Sequence, residues 1–172
     1  DFRLPPENPL TLVMGSVKKE PENNMIIKFK KMDDRAVIPS KAHSTDIGYD
    51  VTFISVEKVV VGRFLFFKKY KYIYDSGIAV KPPEGYYVDM IPRSGFSKTG
   101  FVCANSFGVI DPEYRGSCKA VLYKVNPFAK DLVLPGRYFQ FVLRPIIEAD
   151  PIEVEDLDET ERGSGGFGST GI

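Results

Sequence analysis

From Met25 to Leu143 the chain breaks into short stretches rich in β-branched and aromatic residues, and that rhythm limits what it can fold into. The stretches are Ile26–Phe29, Val51–Val61, Phe64–Phe67, Tyr70–Tyr74, Ile78–Val80, Tyr86–Ile91, Ser117–Val125 and Arg137–Leu143. Gly, Pro, Asp or Asn lies between most of them, and these residues end strands and build turns. No window carries an apolar helical period over three turns, so long helices are not expected. The pattern predicts an all-β fold, a jelly-roll-like β-sandwich or barrel, with at most one short helix just after residue 92.

The flanks differ from this core, which spans 25–147. Residues 1–24 scatter Pro5, Pro6, Pro9 and Pro21 among charges and read as an arm with little structure of its own. From Glu148 to Glu161 there are eight acids and no Lys or Arg, and residues 162–171 hold five glycines. This linker and tail, 148–172, cannot bury enough apolar surface to fold alone. It is either a solvated tail or a flexible arm that orders over a ligand.

Lys and Arg number 23, as do Asp and Glu. A neutral chain lacks the positive excess on which general binders of nucleic acid or anionic membranes rely, so neither partner is expected. No apolar run approaches the roughly 18 residues of a membrane span, and no secretory signal pattern occurs. The single histidine, His43, removes most Ser-His and Cys-His hydrolases, and Cys103 and Cys118 lack metal-site spacing. The cysteines read as two buried thiols in a reducing, intracellular compartment, cytoplasmic or nuclear.

Three stretches carry chemistry. The tail, RGSGGFGSTG at 162–171, formally contains GxGxxG (Gly163, Gly165, Gly168), but no helix can follow it, and it has no Walker lysine. Its inventory still suits a nucleotide. Arg162 can fork onto a phosphate, Ser169, Thr170 and backbone N–H groups can hold phosphate oxygens, and Phe167 offers a flat face to a base. A second stretch, PRSGFSKTG at 92–100, supplies Arg93, hydroxyls including Ser94, and Gly95, which permits close backbone approach to an anion. Its plain alternative is an ordinary polar turn. The third, Asn105 to Gly116, reads as a hairpin between two apolar strands with a tight Asp-Pro turn. Its mouth can offer backbone groups to a base edge. Asp111 follows Val109 and Ile110, so packing can pin it while its carboxylate faces a cavity. Its plain role is to cap the turn, and Tyr114 could simply cover core.

These stretches resemble the motifs of the trimeric dUTPase family, in the family's order, over about Met25 to Gly171. The first motif resembles Ala42–Val51 with Gly48-Tyr49-Asp50, the second 92–100, the third GVIDPEYRG at 108–116, the fourth Arg137–Gln140, and the fifth 162–171. The resemblance implies a homotrimer of jelly-roll subunits sharing three sites. It implies hydrolysis of dUTP to dUMP and pyrophosphate with Mg²⁺, which limits uracil in DNA and supplies dUMP for dTTP synthesis.

By the same resemblance Asp111 activates the water that attacks the α-phosphorus, and Gln140 helps hold that water. Asp50 acts in the metal's water shell or on an active-site arginine, while Mg²⁺ sits mainly on the phosphates. Arg93, Ser94 and Gly95 bind phosphates. Backbone groups near Asn105, Gly108, Ile110 and Lys119, with Val109 in the same wall, select uracil. Tyr114 packs on the deoxyribose. Arg162 binds the γ-phosphate, Phe167 stacks on uracil, and Gly168, Ser169 and Thr170 close on the phosphates.

The chain departs from the family at several points. Ser44-Thr45-Asp46-Ile47 precedes Gly48 where small residues are usual, and the second motif is one residue short around Lys98. Gly136 stands where an acid usually precedes the arginine. The Asp50–Arg93 stretch is longer than typical, which predicts an enlarged loop or hairpin. Two rival readings remain. One is a dUTPase-like binding or regulatory protein without turnover. The other is a dCTP deaminase relative, which would need a glutamate where this chain has Val121.

Overall fold

The computed structural model describes residues 25–166, which form ten strands, one 3-10 turn and no α-helix. The strands are β1 Lys28–Lys31, β2 Tyr49–Phe53, β3 Ser55–Phe64, β4 Phe67–Asp75, β5 Ile78–Lys81, β6 Tyr86–Pro92, β7 Phe101–Cys103, β8 Gly108–Ile110, β9 Lys119–Lys124 and β10 Gly136–Pro145. They make two four-stranded sheets, β2-β10-β6-β8 and β3-β4-β9-β7, and a small β1-β5 pair. All the pairings are antiparallel. The expected all-β jelly-roll class is what the chain forms. The arm at 1–24 lies outside the described residues.

The core sits between the two large sheets. Val51, Phe53, Met90, Phe139 and Phe141 come from one sheet, and Tyr74, Ala120 and Leu122 from the other. Phe53 joins the layers: its ring meets Phe139 of its own sheet edge-on at 5.4 Å and Tyr74 of the facing sheet, tilted, at 5.8 Å between centroids. Each such ring withdraws enough apolar surface to contribute about 1.5–3 kcal/mol. In β9 the alternation of Ala120 and Leu122 (buried) with Lys119 and Val121 follows the two-residue strand period.

The short helix expected after residue 92 is the 3-10 turn Ser94–Lys98. Phe96, buried within it, packs edge-on against Phe139 at 5.2 Å. One aromatic anchor thus fixes an otherwise polar stretch to the core.

Three expectations need correction. The Asn105–Gly116 stretch is not a hairpin, because β8 pairs with β6 while β9 pairs with β4 and β7. The chain crosses between sheets there, and Cys118 N–H donates to the Ile78 carbonyl at 2.8 Å. Val51–Val61 is not one strand but two, broken at Ile54 and sent to opposite sheets. The apolar run Phe64–Phe67 is a two-residue hairpin turn at Leu65-Phe66, the tip of the enlarged β3–β4 hairpin. Cys118 is buried as expected, Cys103 only partly, and both thiols are free.

Candidate functional site

Two groups of side chains stand out, one at each end of β6. The first gathers on the β2–β10 ladder, where Asp50 pairs with Gln140. The Asp50 carboxylate is buried, at 9% exposure, and salt-bridges two arginines. Its Oδ1 lies 2.9 Å from Arg93 Nε and its Oδ2 3.2 Å from Arg137 Nη1. Such pairing is what lets a carboxylate stay charged away from water. Arg93 is held further by its backbone N–H on the Tyr138 carbonyl, 2.9 Å, and by Nη1 on the Arg137 carbonyl, 3.3 Å. The two guanidiniums are fixed from behind and keep outward donors, which suits a polyanion.

Gln140 lies against Gly48 so closely that a Cβ there would come within 3.0 Å of Gln140 Cβ and 2.2 Å of its Oε1. Glycine at 48 is the space in which the glutamine sits. Ser94 and Gly95 are exposed just after Arg93, and Ser94 lines a cavity of about 450 Å³ with Arg93, Ser97 and Ser106.

The second group surrounds a cavity of about 180 Å³ lined by Val109, Ile110, Asp111, Tyr114, Cys118 and Lys119. Asp111 is exposed immediately after β8 and turns the chain, its carbonyl accepting the Tyr114 N–H at 3.0 Å. The Tyr114 hydroxyl donates to the Ser117 carbonyl at 3.2 Å, which lays the ring along the wall. Asp75, at the end of β4, ties this loop down. Its carboxylate accepts from the Ser117 hydroxyl, from Gly77 N–H at 2.8 Å, and lies 3.1 Å from Lys119 Nζ. Burial alone would raise its pKa, but these donors outweigh burial and hold the carboxyl below its ordinary value. Beneath them, burial and then the Asp75 charge push the Cys118 thiol up to about 12, so it is an inert core group.

The structure therefore brings Asp50, Arg93 and Gln140 together with Ser94 and Gly95 nearby, and separately gathers Val109, Ile110, Asp111, Tyr114 and Lys119. Gly108 adjoins the second group in β8, opposite Met90. Asn105 lines neither cavity, and its Oδ1 accepts from the Cys103 thiol at 3.2 Å. Arg162 is exposed, while Phe167, Gly168, Ser169 and Thr170 lie outside the described residues. Arg137 and Asp75 went unpredicted. Arg137 was visible only as the first residue of the fourth motif, and Asp75 gave no local signal.

The two groups cannot meet within one chain. Val88 pairs with Ile110, so Asp111 is level with Tyr87. Arg93 is six residues further along the same line, about 20 Å away at the rise of a strand.

The β-sandwich thus carries a pair of arginines held by a buried acid at one end of β6 and an exposed acid beside a small cavity at the other. The family profile described as dUTPase matches residues 34–171. The deoxyuridine 5′-triphosphate nucleotidohydrolase of Nautilia profundicola is 37% identical over 150 residues, covering 86% of this chain and 99% of that protein. The mitochondrial enzyme of that name from Dictyostelium discoideum is 35% identical over 156 residues, 91% of this chain and 83% of its own length. Among solved structures, a glycine-to-serine mutant of the Staphylococcus bacteriophage 80alpha dUTPase with dUpNHpp superposes with a TM-score of 0.70 at 25% identity, covering 86% of this chain and 99% of that one. The chain belongs to the dUTPase family.

One departure from the family pattern has a packing cause. A Cβ on Gly136 would lie 2.4 Å from the Val133 carbonyl oxygen and 2.4 Å from the Tyr138 ring. No side chain, acidic or otherwise, fits there.

Proposed function

We propose that this chain converts dUTP and water to dUMP and pyrophosphate, and that three copies share the sites. The reading is carried by the dUTPase match over residues 34–171, which reaches from the first motif to the fifth. The separation of Asp111 from Arg93 supports a site divided between copies, in which one chain's acid serves phosphates held by another chain's turn.

Asp111, exposed at the cavity lip, takes a proton from a water whose oxygen attacks the α-phosphorus in line with departing pyrophosphate. Gln140 holds that water from its slot beside Gly48. Arg93, aimed by Asp50, takes phosphate oxygens together with Ser94 and the Gly95 backbone. Gly108, Val109, Ile110 and Lys119 form the wall that reads uracil. Cytosine would leave buried groups there unpaired, at about 1–3 kcal/mol each. Tyr114 supports the deoxyribose and leaves no space for a 2′-hydroxyl. Arg162 reaches the γ-phosphate, Phe167 stacks on the base, and Gly168, Ser169 and Thr170 close over the phosphates.

Among the described residues no three His, Cys, Asp or Glu side chains converge, and both Asp50 oxygens face arginines. That donor set fits a Mg²⁺ ion taking most of its ligands from the triphosphate, with Asp50 reached through water. Bound there, the ion neutralises charge and fixes the triphosphate's shape.

Pyrophosphate release from dUTP with Mg²⁺ tests the reading, with dCTP and dTTP expected to give little. Nucleotide binding without turnover would instead favour a regulatory protein, and ammonia from dCTP would favour a deaminase. Against the latter, Val121 is a half-buried strand residue opposite Ile73 and has no group to transfer a proton. The two free thiols support a reducing compartment, and no described helix is long and apolar enough to cross a membrane.

A further inference from the structure

The β3–β4 hairpin outruns the sheet that carries it. β4 pairs with β9 only from Tyr72 to Asp75, while its ladder with β3 continues to Phe64 opposite Phe67. Among the described residues, Phe67 to Lys71 pair along the backbone with β3 alone, while Lys69 Nζ sits 5.7 Å over the Tyr123 ring of β9. A two-stranded ribbon with no third strand paired to it is marginal by itself, and a soluble surface normally keeps its turns polar. This turn is apolar. Leu65 and Phe66 are 77% and 99% exposed, and Leu65 holds the left-handed backbone at φ 52°. A two-residue hairpin turn calls for that conformation and usually takes Gly or Asn there; this chain keeps an exposed leucine instead.

Charge surrounds the tip. In sequence it reads Arg63-Phe64-Leu65-Phe66-Phe67-Lys68-Lys69-Tyr70-Lys71. Arg63, Lys68 and Lys69 are exposed, and among the described residues they and Lys71 have no carboxylate within ion-pair distance. A groove of about 540 Å³ lined by Arg63, Lys68, Lys69, Tyr70 and Lys124 opens beside them. Whole-chain neutrality hides this patch. The eight acids of 148–161 balance it on paper, and without them the chain carries eight more cations than acids.

We propose that the β3–β4 tip is a membrane-docking element that inserts into anionic lipid bilayers. The order of groups along the ribbon matches the layers of a bilayer surface: apolar residues at the end, cations next, then a tyrosine. Lys68 and Lys69 follow Phe66 by two and three residues, about 7–10 Å at strand rise. That is the depth to which interfacial segments bury their apolar groups, leaving the cations level with lipid phosphates. Single-stranded nucleic acid would use the cations and the aromatic rings, but it has no place for an aliphatic Leu65 at the extremity. The inference stands apart from the nucleotide site and does not need it.

The chain has no tryptophan, so Phe66→Trp places a single fluorophore at the tip. With vesicles of phosphatidylcholine and phosphatidylserine its emission should shift to the blue and be quenched by brominated acyl chains. Pure phosphatidylcholine should give little change. In the otherwise native full-length chain, Leu65→Ser with Phe66→Ser should weaken co-sedimentation with the anionic vesicles about tenfold. Arg63→Glu with Lys68→Glu and Lys69→Glu should weaken it comparably, and added salt should release the native chain. Turnover of dUTP by these variants reports that they are folded. Emission unchanged by anionic vesicles overturns the proposal, as does equal co-sedimentation of native and variant chains. A blue shift produced by a single-stranded oligonucleotide or by a peptide of residues 148–161, but not by vesicles, also overturns it.

Discussion

Asp50 and Asp111 are both carboxylates near an expected phosphate chain, yet their surroundings assign them different work. Asp50 is buried and committed to two guanidiniums, so the work proposed for it is to aim the arginines. Asp111 is exposed beside a cavity, so its oxygens can receive a proton. Asp111→Asn preserves the shape and removes the proposed base. Turnover of dUTP should fall by about 10²–10⁴-fold while calorimetry still detects nucleotide binding. A rate close to native would remove Asp111 from the chemical step. Gly136 gives a second test at this scale. Gly136→Glu restores the acid usual in the family but drives a Cβ into the Val133 carbonyl. The variant should melt well below the native chain in a thermal scan, and an unchanged midpoint would show that the loop yields.

Among the elements, the loop from β8 to β9 depends on the end of β4. Asp75 holds Ser117, Gly77 and Lys119 at once, and its carboxyl sits below its ordinary value of 3.8. A carboxyl with a depressed folded pKa stabilises the fold above its unfolded pKa, and that contribution is lost as pH falls through the folded value. Asp75→Asn should therefore lower the urea midpoint at neutral pH, and the two curves should converge below about pH 4. Because the loop walls the small cavity, the same variant should raise KM for dUTP more than it lowers kcat. Sequence revealed strands more readily than their partners. Alternation marks Ala120 and Leu122 as inward-facing wherever β9 lies, but nothing local says that β8 joins β6 rather than β9. The site divides in the same way. Residue type and neighbours single out Arg93 and Asp111, which the fold sets in the two separate groups. Arg137 acts through Asp50, 87 residues away, and Asp75 through Ser117, 42 residues away, so only the folded chain reveals them.

For the whole molecule, the division of labour is between a rigid sandwich and its acidic, glycine-rich end. The core residues all precede Arg144. Truncation before Arg162 should therefore leave the thermal midpoint and the solution mass, near three chains by light scattering, unchanged. Activity should nearly vanish, because the groups expected to close over the nucleotide are gone. Unfolding on truncation would mean that the tail supports the core.

In the shared site proposed above, defects can be divided between chains. A chain with Asp111→Asn keeps the arginine turn intact, and one with Arg93→Ala keeps the acid. Each alone should be nearly inactive. When equal amounts are unfolded and refolded together, random assembly would pair an intact turn with an intact acid in about a quarter of the sites. Two dead enzymes should revive each other, and a mixture that stays silent would mean that each chain works alone.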